Sequence, residues 1–182
     1  MRKIGICALA LLIYLPSMLV PAETNYSISQ QVPLTTKQIH DVERNSLAQR
    51  GEEFYEQKNY KEAEKWFIEA GRRNHRDSQE KLGHMYYLGL TGQKEYNMAI
   101  LWFTRAYENG SVGAEAALGA MHLLGQGYPK DISLGLKMLR SASDKGHPHA
   151  PEILEIFEEQ KKLCAQGEVK ACEVTQQPNI NN

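Results

Sequence analysis

A 36-residue period runs through the middle of this chain and limits its architecture more than any other feature. Ser78, Ala114 and Ala150 are 36 apart, and so are Leu82, Leu118 and Leu154. Gly83 repeats as Gly119, Met85 as Met121, and Gly89 as Gly125. The second half of the unit recurs as Ala63 and Ala99, Trp66 and Trp102, Phe67 and Phe103. Ala70, Ala106 and Ala142 continue it, with Gly110 and Gly146 closing two of the units. A fixed period of this size means a stack of supersecondary units, each burying its apolar face against its neighbours. Such stacks usually bind other proteins.

Within each unit the apolar residues fall at helical spacing. Thr35 to Gln38 reads as a capping box, in which two side chains satisfy opposite backbone donors. From there Ile39, Val42, Leu47, Ala48, Gly51, Phe54 and Tyr55 predict a helix to about 57, and Lys58-Asn59 breaks it. Further helices are predicted over 60–73, 78–88, 97–108, 114–124, 133–145 and 150–163, with a last short turn after Gly167. Gly89, Gly110, Gly125 and Gly146 stand where a helix ends on a positive φ. Ser133 is read as capping the helix that it opens. Gly83 and Gly119 lie inside helices, where glycine costs about 1 kcal/mol relative to alanine. Their recurrence suggests two helices too close to admit a Cβ, with Ala70, Ala106 and Ala142 as the small residues opposite.

The chain begins with Arg2 and Lys3, an almost wholly apolar run from Ile4 to Val20, and Val20-Pro21-Ala22 before Glu23. This pattern reads as an export signal over 1–22; the alternative is an uncleaved anchor, for which the run is short. Residues 23–34 read as a flexible leader, 35–175 as the repeat domain and 176–182 as a tail. Asn25-Tyr-Ser27 matches a glycosylation sequon, a pattern too short to carry weight alone. Loss of the signal leaves 19 Lys and Arg against 22 acidic residues, a net charge of −3. That balance argues against a nucleic-acid partner. With no second long apolar run, no stable membrane insertion is expected after cleavage, and the location expected is periplasmic or secreted. Cys164 and Cys172 then remain as an even pair in an oxidising compartment, which favours a disulfide over a zinc site or a redox CxxC. A loop this size contributes roughly 2–3 kcal/mol on the entropy model.

Ala114-Glu-Ala-Ala-Leu118-Gly119-Ala-Met121, followed by Gly125-Gln-Gly127-Tyr-Pro-Lys-Asp131, Ala142 and Gly146, resembles a Sel1-like repeat. Ser78 to Asn109 is similar, with Leu82-Gly-His-Met85-Tyr86 and Ala99-Ile-Leu-Trp102-Phe-Thr-Arg-Ala106. Residues 47–74 resemble the related tetratricopeptide repeat, with a shorter connection between the paired helices. The cysteine pair is similar to those of Helicobacter cysteine-rich proteins, where such a pair bridges the end of one unit to the start of the next. This chain has only one such pair. Two other departures, the Gly89-Leu-Thr-Gly92 connector and His122 in place of the tyrosine seen at Tyr86, suggest relaxed local packing.

The resemblance implies an all-α, right-handed α/α solenoid of antiparallel helix pairs, in which the first helix of each pair lines a groove. Relatives are mostly adaptors that recruit proteins, many of them in bacterial envelopes; some are immunity proteins that neutralise toxins. Transferred by distance from the helix glycines, the groove positions are Ala48, Glu52 and Tyr55 in the first unit and Glu80, His84 and Tyr87 in the second. Ala116, Ala120 and Leu123 follow in the third, and Glu152, Ile156 and Glu159 continue the row. This composition, acidic to aromatic with a centre of small residues, suits a basic or apolar peptide of a protein partner.

The residues give no sign of catalysis or of a cofactor. His147-Pro-His149 flanks a proline at a turn with no nearby ligand, and His40 and His75 read as helix-surface residues. The charges from Arg50 to Lys65 alternate in sign as on a solvated helix face. There is no GxSxG elbow and no phosphate-binding glycine loop. Ser141 and Lys145 are four apart, so they do not form a Ser-x-x-Lys motif. Some cysteine-rich relatives are described as binding or weakly hydrolysing β-lactams, but this sequence supplies no matching residues. An interaction protein without enzymatic activity is expected. Repeat arrays couple mainly to nearest neighbours. Reduction of Cys164–Cys172 should therefore raise amide exchange in the last unit first, and a uniform rise across all units would contradict this.

Overall fold

The computed structural model describes residues 34–176. The expected export signal and nearly all of the expected leader and tail lie outside them. Eight helices follow one another: α1 (Thr36–Glu56), α2 (Tyr60–Arg72), α3 (Arg76–Leu88), α4 (Tyr96–Glu108), α5 (Val112–Leu124), α6 (Ile132–Asp144), α7 (Ala150–Ala165) and α8 (Val169–Thr175). There is no strand among the described residues, and the helices pack pairwise and in order as a right-handed α/α solenoid. Most starts fall one to two residues before those expected from periodicity, because the first turn is set by capping side chains that carry no apolar signal.

The Thr35 capping box forms, with Gln38 N–H donating to Thr35 Oγ1 at 3.3 Å and Thr35 N–H to Gln38 Oε1 at 2.8 Å. Ser133 does not open α6. Asp131 does, its carboxylate accepting from Leu134 N–H at 2.9 Å, so the cap lies two residues earlier than expected. His75 is likewise no ordinary surface residue, since it caps α3 by accepting Ser78 N–H on Nδ1 at 3.2 Å. Ser111 Oγ and His147 Nδ1 accept from Ala114 and Ala150 N–H at 2.9 and 3.1 Å. The same position thus accepts the N–H three residues on in three successive units, as the N-cap of α3 and of α5 and two residues ahead of the N-cap of α7.

The turns between pairs recur with equal regularity. His75, Ser111 and His147 donate their backbone N–H to the carbonyls of Ala70, Ala106 and Ala142, at 3.1, 2.8 and 2.9 Å. Each turn needs one residue at positive φ just before it: Asn74 at 60°, Gly110 at 82° and Gly146 at 84°. The three alanines are fully buried beneath these turns, but they are not what the helix glycines oppose. A Cβ on Gly51 would lie 2.5 Å from Cε1 of Phe67, and one on Gly83 would lie 2.5 Å from Cε1 of Phe103. On Gly119 it would meet the Gly135 carbonyl at 3.1 Å and Leu139 Cγ at 3.2 Å. The opposing series is therefore Phe67, Phe103 and Leu139, all with no exposed surface. The glycines do mark close helix approach, as expected; the partners are large apolar side chains where small residues were expected.

The core has two parts. Phe67, Leu82, Met85, Trp102, Phe103 and Met121 belong to one, which joins the first three pairs. Ala116, Leu123, Leu139, Ala142, Ala150 and Phe157 form the other, between the third pair and α7. The array begins on a polar face. Counted from the helix glycines, Leu82 and Leu118 correspond to Arg50, and Met85 and Met121 to Glu53. The apolar residues are buried against the preceding pair, whereas Arg50 and Glu53 are exposed. A repeat array needs such an end to remain soluble. Arg50 lies over the Trp66 ring at 4.9 Å.

At the other end Cys164 and Cys172 are joined as a disulfide, their Cα atoms 4.7 Å apart. It ties the seven-residue α8 to α7, where Ala171 is buried. At His122 the ring is only half-buried and stacks on Tyr128 at 4.0 Å. Tyr86, its counterpart, is buried and donates its hydroxyl to Glu64.

Two outcomes follow. Gly83→Ala gains about 1 kcal/mol of helix propensity but drives a methyl into the Phe103 ring, an overpacking cost of about 1–3 kcal/mol. The net should be a loss of stability in urea unfolding, recovered when Phe103→Leu is added; a stabilised single variant would contradict the packing account. Burial, against the pull of Asp77, holds His75 below its ordinary value of 6.5. Its capping role also needs a neutral Nδ1. Stability from this group is therefore complete above the unfolded value and falls as pH drops below it towards the folded one. His75→Ser keeps a cap like that at Ser111, so it should flatten the thermal-stability profile of the wild type on the acid side of pH 6.5.

Candidate interaction surface on the first helix of each pair

Residues four apart on a helix share a face. Counting from the helix glycines places Ala48, Glu52 and Glu56 on one stripe of α1, and Glu80, His84 and Leu88 on that of α3. Ala116, Ala120 and Leu124 follow on α5, then Glu152, Ile156 and Gln160 on α7. Three large apolar side chains on these stripes are open to solvent: Leu88 at 52%, Leu124 at 46% and Ile156 at 54%. Ile156 was among the residues read from the sequence, but Leu88 and Leu124 were not. They do repeat at 36 residues, and periodicity alone treats any such pair as core.

The structure removes three expected residues from the surface. Ala48, Ala116 and Leu123 are buried. Ala116 and Leu123 belong to the second core cluster. Gly135 brings α6 so close to α5 that a Cβ there would lie 2.8 Å from Leu123 N, and at this crossing the Leu123 side chain packs inward. Tyr55 and Tyr87 are half-buried, and Ala120 is partly open.

Among the remaining polar residues, several link one first helix to the next. Lys81 of α3 pairs with Glu52 of α1 at 2.9 Å and sits 4.8 Å from the centre of the Tyr55 ring. Glu80 accepts a hydrogen bond from the Ser111 hydroxyl at the start of α5 and closes over Gly113, where a Cβ would displace its carboxylate. His84, with Ser111, holds the Glu80 carboxyl below its usual range against the opposing effect of burial. The His84 ring stands edge-on to Phe103 at 4.9 Å. Tyr87 donates its hydroxyl to Gln126 at 2.8 Å and leans on Tyr96, and burial pushes its phenol up. On α7, Glu152 lies 3.7 Å from His149, and Glu159 lies 3.4 Å from Lys162.

Behind this face the pairs are tied by a second polar row. Gln79 donates to the Gly71 carbonyl and accepts from Asn109, both at 2.8 Å. One unit later the buried Glu115 meets Lys145 at 2.7 Å. A crevice of about 390 Å³ beside Gln79, lined also by Arg72, Arg105 and Asn109, belongs to this seam. Among the described residues, no group of three His, Cys, Asp or Glu could hold a metal ion, and no helix is long and apolar enough to cross a membrane. The arrangement offers a mixed apolar and carboxylate surface for another polypeptide, with polar ties holding its successive helices in register.

The Sel1 repeat family model matches residues 47–75, 76–111 and 112–147, one stretch for each of the first three helix pairs. The first unit, which reads like a tetratricopeptide repeat in sequence, is thus a Sel1 repeat as well. Two solved structures share the fold. A Sel1 repeat protein from Oxalobacter formigenes is 26% identical, with a TM-score of 0.56 over 68% of this chain and 51% of that one. A protective antigen present in uropathogenic Escherichia coli strains, displaying an SLR fold, is 22% identical. Its TM-score is 0.58 over 77% of this chain and 32% of its own. The chain thus spans about half and about a third of these two proteins. No curated protein matches it in sequence. With three consecutive repeats matched and the helix pairs stacked as those repeats require, the chain belongs to the Sel1 repeat family.

Proposed function

We propose that this protein is an exported adaptor of the bacterial cell envelope that holds a protein partner on the faces of α3, α5 and α7. Sel1 repeats typically mediate protein–protein interaction and are generally scaffolds without enzymatic activity. The observation that carries the reading is the set of exposed side chains Leu88, Leu124 and Ile156, on one stripe of three successive first helices. Large apolar groups that share one stripe of successive helices yet stay open to water mark an interaction surface more strongly than scattered ones. Carboxylates border them, and the helices beneath are fixed by the core, so little order is lost on binding. The apolar run that follows Arg2 and Lys3 supports export.

Envelope extract passed over immobilised protein should yield a companion that Leu88→Ser/Leu124→Ser loses, at about 1–2 kcal/mol per truncated leucine. The helical circular dichroism of the variant should be unchanged. A companion retained equally by both proteins would move binding off this face. In cell fractionation the protein should be found in the envelope without residues 1–22, and full-length protein in the cytoplasm would remove the export half of the proposal.

A further inference from the structure

The crevice of about 390 Å³ beside Gln79 carries cations but lacks the buried acid that the next unit has at the same place. The 36-residue period matches Gln79 to Glu115, Asn109 to Lys145 and Arg105 to Ser141. In the later seam the buried Glu115 meets Lys145 at 2.7 Å, so positive and negative charge close on each other within the chain. In the earlier seam a neutral pair stands in their place, with Asn109 Nδ2 donating to Gln79 Oε1 at 2.8 Å. Arg72 and Arg105 nevertheless line the opening.

The groups around this crevice leave positive charge unmatched. Arg72 shares the one carboxylate of Glu69 with Arg73, at 3.2 and 3.3 Å. Arg105 pairs with no carboxylate among the described residues. Its guanidinium carbon lies 4.9 Å from the centre of the Trp102 ring, which is only 4% exposed and so is a fixed platform. An arginine resting on a ring keeps N–H groups for two-point contact with a carboxylate. Glu108 also lines the rim and makes no ion pair with either arginine. Three arginines thus stand against two acids, a formal excess of one positive charge. The floor is already satisfied: buried Gln79 donates Nε2 to the Gly71 carbonyl at 2.8 Å. Asn109 Nδ2 carries a second hydrogen beyond the one given to Gln79.

We propose that this crevice binds a carboxylate, carried by an aspartate or glutamate side chain of a polypeptide partner. Arg105 and Arg72 meet its oxygens, Asn109 adds a hydrogen bond, and the ligand brings from outside the acid that Glu115 provides one unit later. An excess of one charge matches a carboxylate better than a phosphate ester, which carries about −2 at neutral pH. That the carboxylate belongs to a polypeptide rests on the interaction role proposed above; the carboxylate site itself does not.

The test follows the amide signals of the 15N-labelled protein at neutral pH and fixed ionic strength. The probes are N-acetylglutamate amide, its neutral glutamine counterpart and inorganic phosphate. The glutamate probe should shift the Asn109 side-chain amide and the Gly71 backbone amide to saturation, and the glutamine probe should leave them in place. Arg105→Gln should weaken binding about threefold or more, while Lys65→Gln, which removes an exposed charge elsewhere, should not change it. The rest of each spectrum reports whether the variants stay folded. Equal shifts with the neutral probe, equal affinity in Arg105→Gln, or an equal loss in Lys65→Gln would overturn the site. Tighter binding of phosphate than of the glutamate probe would overturn the carboxylate assignment. No saturable shift at all would overturn the inference and leave the adaptor role standing, since partner capture through Leu88 and Leu124 reads that role separately.

Discussion

Everything in this solenoid depends on how closely the two helices of a pair approach. Gly51 and Gly83 each receive the flat ring of a phenylalanine from the second helix, and Gly119 receives Leu139 together with the Gly135 carbonyl. Glycine inside a helix costs about 1 kcal/mol relative to alanine. The buried ring offsets that cost, since complete burial of a side chain of this size contributes about 1.5–3 kcal/mol. With that distance set, the rest of each unit has little freedom. The alanine carbonyls receive the N–H that closes each turn, a residue at positive φ reverses the chain, and a capping side chain begins the next first helix.

The same close packing creates the outer surface. Because Phe103 and Leu139 fill one side of α3 and α5 and the preceding pair fills another, the positions at His84 and Leu88, and at Ala120 and Leu124, are left at least partly open. The open positions are not held to one residue type by core packing, so they differ from unit to unit. Glu52, His84, Ala120 and Ile156 occupy one equivalent position and share no chemistry. The exposed leucines at 88 and 124 contribute nothing to the core. Their presence is the physical ground for treating the face as a place where another chain sits.

The sequence-based groove was legible only in part, and the reason lies in particular residues. Transfer by distance from the helix glycine picks positions of which several stay open to solvent, as Glu80, His84 and Ile156 illustrate. It does not know how deep each position lies. Leu123 is drawn inward because Gly135 lets α6 come close, whereas Leu124, the next residue, is left outside. A one-residue difference on a helix turns a side chain by about 100°, and no apolar pattern distinguishes a leucine that packs from one that waits. The caps show the same limit. Thr35 was readable because a capping box needs two partners in register, whereas His75 and His147 act through a ring nitrogen that propensity does not anticipate.

The 36-residue period determined the helix pairs, their order and their stacking, because each unit must bury the same apolar positions against its neighbours. Spacing also located the glycines of close approach, and the cysteines of the last unit were found from their even pairing. Only the tertiary structure decided which periodic residues are core and which are surface, since burial depends on the distance between helices that are not adjacent in sequence. It alone brought Lys81 onto Glu52 and the Ser111 hydroxyl onto Glu80. Those residues belong to different units, and the period that stacks the units does not encode which side chains meet across them.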